Sequence, residues 1–120
     1  MRLILLAAVL ATSLGAAACD QRTSAPERAQ VERGAQLIAA NGCGACHEIP
    51  GIAGADGRVG PPLDHIATRI YIAGVLRNSP ANLARWIREP QKVAPGNAMP
   101  DMGLSRPQSQ AIAAYLETLD

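Results

Sequence analysis

The five residues Cys43-Gly44-Ala45-Cys46-His47 hold the densest chemistry in this chain. Each cysteine thiolate can add to a vinyl group, and two such additions to one flat macrocycle give two thioethers. On a helical turn Cys43 and Cys46 lie at i and i+3, so both can reach one edge of that ring. His47 follows at i+4 from Cys43 and offers an imidazole nitrogen to a central iron. The spacing reads as a c-type haem attachment site, with one covalent haem. Zinc would usually require a second ligand pair, and only His65 remains as an obvious nitrogen donor. Redox exchange of the thioredoxin kind needs a βαβ setting that the neighbouring sequence lacks.

The elements that must position these groups read as helices. Ser24-Ala25-Pro26-Glu27 has the form of a capping box with proline in the first turn. Val31, Ala35 and Ile38 then form an apolar stripe on a first helix that runs into the cysteines. Residues 48 to 62, rich in Gly and Pro, read as a loop. Ser79-Pro80 opens a second helix with Leu83, Trp86 and Ile87 on one face, ended by Pro90. Residues 90 to 104 hold three prolines and two glycines and read as an extended loop. Ser105 to Gln108 forms another capping box, starting a last helix with Ile112, Tyr115, Leu116 and Leu119 inward. No strand pattern competes, so the expected class is all-α. A chain of 120 residues bounds this at one small domain. Its only aromatics are Tyr71, Trp86 and Tyr115, so side chains alone would build a thin core. A covalent haem would complete it, as small domains need reinforcement beyond their side chains.

The first 18 residues read as an export signal: Arg2, an apolar run from Leu3 to Ala11, then small residues up to Cys19. Cys19 is left over once Cys43 and Cys46 are assigned, and an odd exported cysteine calls for a reason. Leu14-Gly15-Ala16-Ala17-Ala18-Cys19 resembles a bacterial lipoprotein cleavage site, with Ala16 where a large aliphatic is usual. The expected division is a signal peptide at 1–18, a lipid-anchored linker at 19–26 and the haem domain at 27–120. Ordinary signal cleavage, giving a soluble periplasmic protein, is the alternative. Asp20 after such a cysteine implies retention at the inner membrane in some bacteria. Removing Arg2 leaves 10 basic against 10 acidic residues, from 11 and 10 in the whole chain. Nucleic-acid binding, which needs a basic patch or stripe, is not expected.

Residues 27 to 120 resemble the class I cytochromes c. Gly34 with Ile38 is similar to that family's glycine and aromatic of the N-terminal helix, and Ala114-Tyr115-Leu116 to their partner on the C-terminal helix. Gly60-Pro61-Pro62-Leu63 resembles the segment covering the proximal side. The resemblance implies that the Pro61 carbonyl accepts a hydrogen bond from the His47 ring, which fixes the tautomer and strengthens the donor. Arg69 stands where the family often has an arginine near a haem propionate; a solvated surface charge is the plain alternative. Trp86 aligns with a haem-pocket aromatic, and helix core is the alternative there.

Pro95-Gly96-Asn97-Ala98-Met99-Pro100 resembles the loop that delivers an axial methionine, which makes His47 and Met99 the implied iron ligands. Met102 is the rival thioether and His65 a weaker candidate. A soft thioether favours Fe(II) and raises the potential relative to two histidines. Asn97 could donate toward a propionate. Tyr71 to Pro80 resembles cytochrome c domains associated with terminal oxidases.

The resemblance implies a one-electron carrier rather than an enzyme, and the Cys19 site implies a tether to the periplasmic face of the inner membrane. A quinol-oxidising complex or dehydrogenase would be its donor and a terminal oxidase its acceptor. Two alternatives stay open: a haem enzyme or gas sensor with a labile methionine ligand, and a fixed electron-entry subunit of a larger oxidoreductase.

Overall fold

Helix formation begins where the chain supplies its own caps. In the computed structural model, which describes residues 23–120, α1 spans Ala25–Ala40. The Ser24 hydroxyl accepts from the Glu27 amide, and the Glu27 carboxylate accepts from the Ser24 amide at 2.6 Å. Both bonds of the expected capping box are therefore made. The same device starts α4 (Arg106–Leu116), with Ser105 and Gln108 exchanging bonds. Between them lie α2 (Pro80–Arg88), capped by the Ser79 hydroxyl on the Asn82 amide, and the short α3 (Pro90–Val93). Two single 3₁₀ turns, Cys43–Ala45 and Ile66–Thr68, punctuate the long loops.

The two longest helices, α1 and α4, cross in close contact, and α2 packs on α4. Their approach depends on Gly34: a Cβ there would lie 2.0 Å from the Ala111 carbonyl oxygen and 2.9 Å from Tyr115 Cβ. Glycine inside a helix costs roughly 0.5–1 kcal/mol relative to alanine. That cost is accepted because backbone meets backbone at the crossing. The core around it is almost wholly aliphatic: Leu37, Ile38, Ile66, Ile72, Leu83, Ile87, Ile112 and Leu116 are all buried.

The fold is the expected helical one, with adjustments of detail. The buried face of α1 is Gly34, Leu37 and Ile38, while Val31 and Ala35 are half-buried. Leu119 lies past the end of α4, where its carbonyl accepts from the Ala67 amide at 3.1 Å. Pro90 ends α2 and also opens α3, so the expected loop from 90 to 104 starts with one helical turn. A small antiparallel hairpin, unexpected from the sequence, pairs β1 (Tyr71–Ile72) with β2 (Leu76–Arg77). Its turn carries two positive φ angles, 49° at Ala73 and 72° at Gly74, and closes with the Val75 amide on the Ile72 carbonyl. Two-residue strands leave no alternation to read. Among the described residues no helix is long and apolar enough to cross a membrane. The export signal and Cys19 lie outside the described residues.

Candidate haem site

Asn41 caps α1, and Gly42 in the left-handed region (φ 68°) turns the chain directly into the Cys43–Ala45 turn. The amides of Cys46 and His47 both donate to the Cys43 carbonyl, at 3.2 and 3.0 Å. One carbonyl thus gathers both cysteines and the histidine onto a single turn. Both thiols are free, so neither is consumed in a disulfide. Cys43 packs against the aliphatic core, and this burial pushes its thiol pKa upward.

The loop after His47 folds back flat over this turn. Gly57 donates to the Gly44 carbonyl at 3.0 Å, and Gly60 donates to the Cys46 carbonyl at 2.7 Å. Side chains are excluded at both contacts. A Cβ on Gly57 would lie 2.5 Å from the Ala45 carbonyl carbon, and one on Gly44 would lie 2.6 Å from Ala55 Cα. The Tyr115 hydroxyl anchors the outer end of the loop by donating to the Pro50 carbonyl at 2.7 Å.

Pro61 is thereby brought to the His47 ring. His47 Nδ1 lies 2.8 Å from the Pro61 carbonyl oxygen. A carbonyl can only accept, so Nδ1 carries the proton and Nε2 keeps its lone pair for a metal. Gly60 forms the floor under the imidazole: a Cβ there would lie 2.3 Å from Cε1 and 2.7 Å from Nδ1. The sequence placed Gly60 in the right segment without showing this role. Its signal was the recurrence of glycine at 51, 54, 57 and 60.

Arg69 braces the same loop. Its Nη2 donates to the Pro62 carbonyl and, at 2.9 Å, to the Asp64 carbonyl, with the Asp64 carboxylate at 3.6 Å. Asn78 holds Arg69 in turn, donating to the Ile66 and Arg69 carbonyls at 2.8 Å each. Trp86 is half-buried on α2 and packs against the core. His65 is exposed, with 69% of its side chain open and the Asp64 carboxylate at 3.9 Å.

The Met99 loop is knit to α3 by amide side chains. Asn97 donates to the Pro90 and Ala94 carbonyls at 3.0 and 2.7 Å, and its Oδ1 accepts from the Met99 amide at 2.7 Å. Both amide bonds of Asn97 thus go to the loop backbone. Gln91, which the sequence reading missed, donates to the Met99 carbonyl at 2.7 Å. Nothing local to Gln91 signals that role, because its partners lie five to eight residues onward. Met99 is half-buried, whereas Met102 is exposed at 39%.

These donors fit a covalently held haem. Two free thiols share one turn, the adjacent imidazole has one nitrogen fixed and the other available, and glycine floors the ring. They do not fit zinc, since among the described residues no group of three or more His, Cys, Asp or Glu side chains converges.

Comparison with known proteins agrees. The family model described as Cytochrome c matches residues 31–120. Cytochrome c oxidase subunit 2 of Alkalihalophilus pseudofirmus is 36% identical over 95 residues, covering 78% of this chain and 27% of that protein. Cytochrome c oxidase subunit 2 of Bacillus sp. strain PS3 is 32% identical over 93 residues, covering 74% of this chain and 26% of its own length. The chain thus spans about a quarter of those relatives. No solved structure matches significantly. A cytochrome c domain implies covalently bound haem c, which Cys43 and Cys46 would hold. Because the family match runs through both crossing helices as well as the thiol-bearing turn between them, the chain belongs to the cytochrome c family.

Proposed function

We propose that this chain is a single-haem, one-electron carrier, with His47 and Met99 as axial ligands, that delivers electrons to a terminal oxidase without being an enzyme itself. The observation that carries the reading is the 2.8 Å bond from His47 Nδ1 to the Pro61 carbonyl. It supports Nε2 as the nitrogen that would face the metal, and it would make the imidazole a stronger donor. When bound, haem supplies reversible exchange between Fe(III) and Fe(II). The chain's own residues hold the ring, orient the imidazole and bring a thioether on a braced loop. If His47 and Met99 both hold the iron, no site would be left there for substrate, which would separate carrier from catalyst.

The names of the relatives support an oxidase as the acceptor, and they equally favour a fixed electron-entry subunit. A quinol-oxidising complex or dehydrogenase is the proposed donor. The proposed location is the periplasmic face of the inner membrane, through a lipid on Cys19. A reduced-minus-oxidised spectrum with potentiometric titration tests the carrier. One haem per chain and a reduced form that does not take up carbon monoxide are expected. Ready carbon monoxide binding would instead favour the gas sensor or haem enzyme. Copurification with an oxidase in mild detergent distinguishes the fixed subunit from the shuttle. Cys19→Ser should release the protein from membranes, and an unmodified native N-terminus beyond Cys19 would exclude the lipid.

A further inference from the structure

Gln91 lies in the first turn of α3 and reaches across to the loop that carries Met99. Its Nε2 donates to the carbonyls of Asn97 at 2.9 Å and Met99 at 2.7 Å, and its Oε1 accepts from the Gly96 amide at 3.1 Å. Asn97 interlocks with it, accepting from the Met99 amide at 2.7 Å. Asp101 closes the far side, its Oδ1 accepting from the Gln91 backbone amide at 3.2 Å. The two peptide groups flanking Met99 are therefore fixed, one through its N–H by Asn97 and the other through its C=O by Gln91.

A thioether makes a single bond to iron, so its persistence against competing ligands depends on how much freedom its loop retains. A loop already held in place loses little entropy when the sulfur binds, and gains little by letting go. Proline at 95 and 100 stiffens the backbone on either side. Between those prolines the restraint on the Met99 carbonyl comes from Gln91.

We infer that Gln91 is a positioning residue for the sixth ligand: its amide preorganises the 96–99 loop and so keeps exogenous ligands off the iron. The inference rests on the reading of Met99 as that ligand. It involves no direct contact of Gln91 with the cofactor.

The test uses full-length holoprotein in the ferric state, with imidazole as the competing ligand. Gln91→Leu, which keeps volume and removes three hydrogen bonds, should raise the apparent imidazole affinity about tenfold or more. Gln91→Ala should do the same, and both should lose hydrogen-exchange protection at the Gly96 and Met99 amides. Ser24→Ala, which removes the cap of α1, should leave imidazole affinity unchanged. Wild-type affinity in both Gln91 variants overturns the inference, as does an equal gain in Ser24→Ala. So does finding the Gly96 and Met99 amides unprotected in the wild-type protein, a measurement that stands even if a variant fails to accumulate. Met99→Ala separates the two levels. If it loses the Met–Fe(III) charge-transfer absorption while the Gln91 variants behave as wild type, only the positioning role fails. If it retains that absorption, the ligand reading fails and takes the inference with it.

Discussion

Gly60→Ala is a one-carbon change that the structure makes expensive. No positive φ is required at Gly60, so backbone strain plays no part. Alanine there should even restrict the unfolded chain, a gain of about 0.4–1 kcal/mol. Against this, the new Cβ would sit 2.3 Å from His47 Cε1, where ordinary contact starts at 3.4 Å. Neither backbone can yield easily. The Gly60 amide is bonded to the Cys46 carbonyl at 2.7 Å, and the His47 amide to the Cys43 carbonyl at 3.0 Å. The ring must therefore move by about 1 Å, which stretches the 2.8 Å bond to Pro61 past useful length. Overpacking of this kind costs about 1–3 kcal/mol, and the lost hydrogen bond adds about 1 kcal/mol. The net loss is about 1–3.6 kcal/mol after the entropic gain. At about 4–8 °C per kcal/mol for a domain of this size, the melting temperature should fall by roughly 4 to 29 °C. The assay is thermal unfolding of the ferric holoprotein by circular dichroism, paired with a potentiometric titration. The potential should rise, because an imidazole without its Pro61 partner is a weaker donor and stabilises Fe(III) less. A Gly60→Ala protein with unchanged melting temperature and potential would refute the claim that this glycine floors the imidazole.

Cys43→Ser with Cys46→Ser should abolish covalent haem and leave the chain unfolded or degraded, since its core is thin and aliphatic; a folded, haem-free protein of normal stability, seen by circular dichroism, would sink that argument. Met99→Ala should remove the Met–Fe(III) charge-transfer absorption, open the site to carbon monoxide and lower the potential. Met102→Ala should leave the low-spin spectrum intact, and the reverse result would reassign the ligand. Tyr115→Phe should cost about 1 kcal/mol in denaturant unfolding by freeing the Pro50 carbonyl. Burial raises the Tyr115 pKa above its ordinary 10.0. Its contribution is therefore complete below pH 10 and lost as pH rises through the higher folded value, so Tyr115→Phe should flatten that part of the stability profile. An unaltered alkaline slope would count against it.

What the sequence determined by itself is whatever closes within one helical turn. The capping boxes at Ser24 and Ser105 and the Ser79 cap each join residues three apart, so the motif already contains both partners. Cys43, Cys46 and His47 are legible for the same reason. The Pro61 bond was legible only through family resemblance, because 14 residues separate it from His47. The tertiary structure alone decided the rest. It set the close approach of Gly34 to Ala111, the floor that Gly60 makes beneath the imidazole, and the tie between Tyr115 and Pro50 across 65 positions. Residue type would let Asn97 serve a propionate or a backbone carbonyl, and the fold turns its amide to the carbonyls of Pro90 and Ala94. A side-chain amide can serve any carbonyl within reach. Which one it serves depends on where the chain returns, and residue type carries no record of that path.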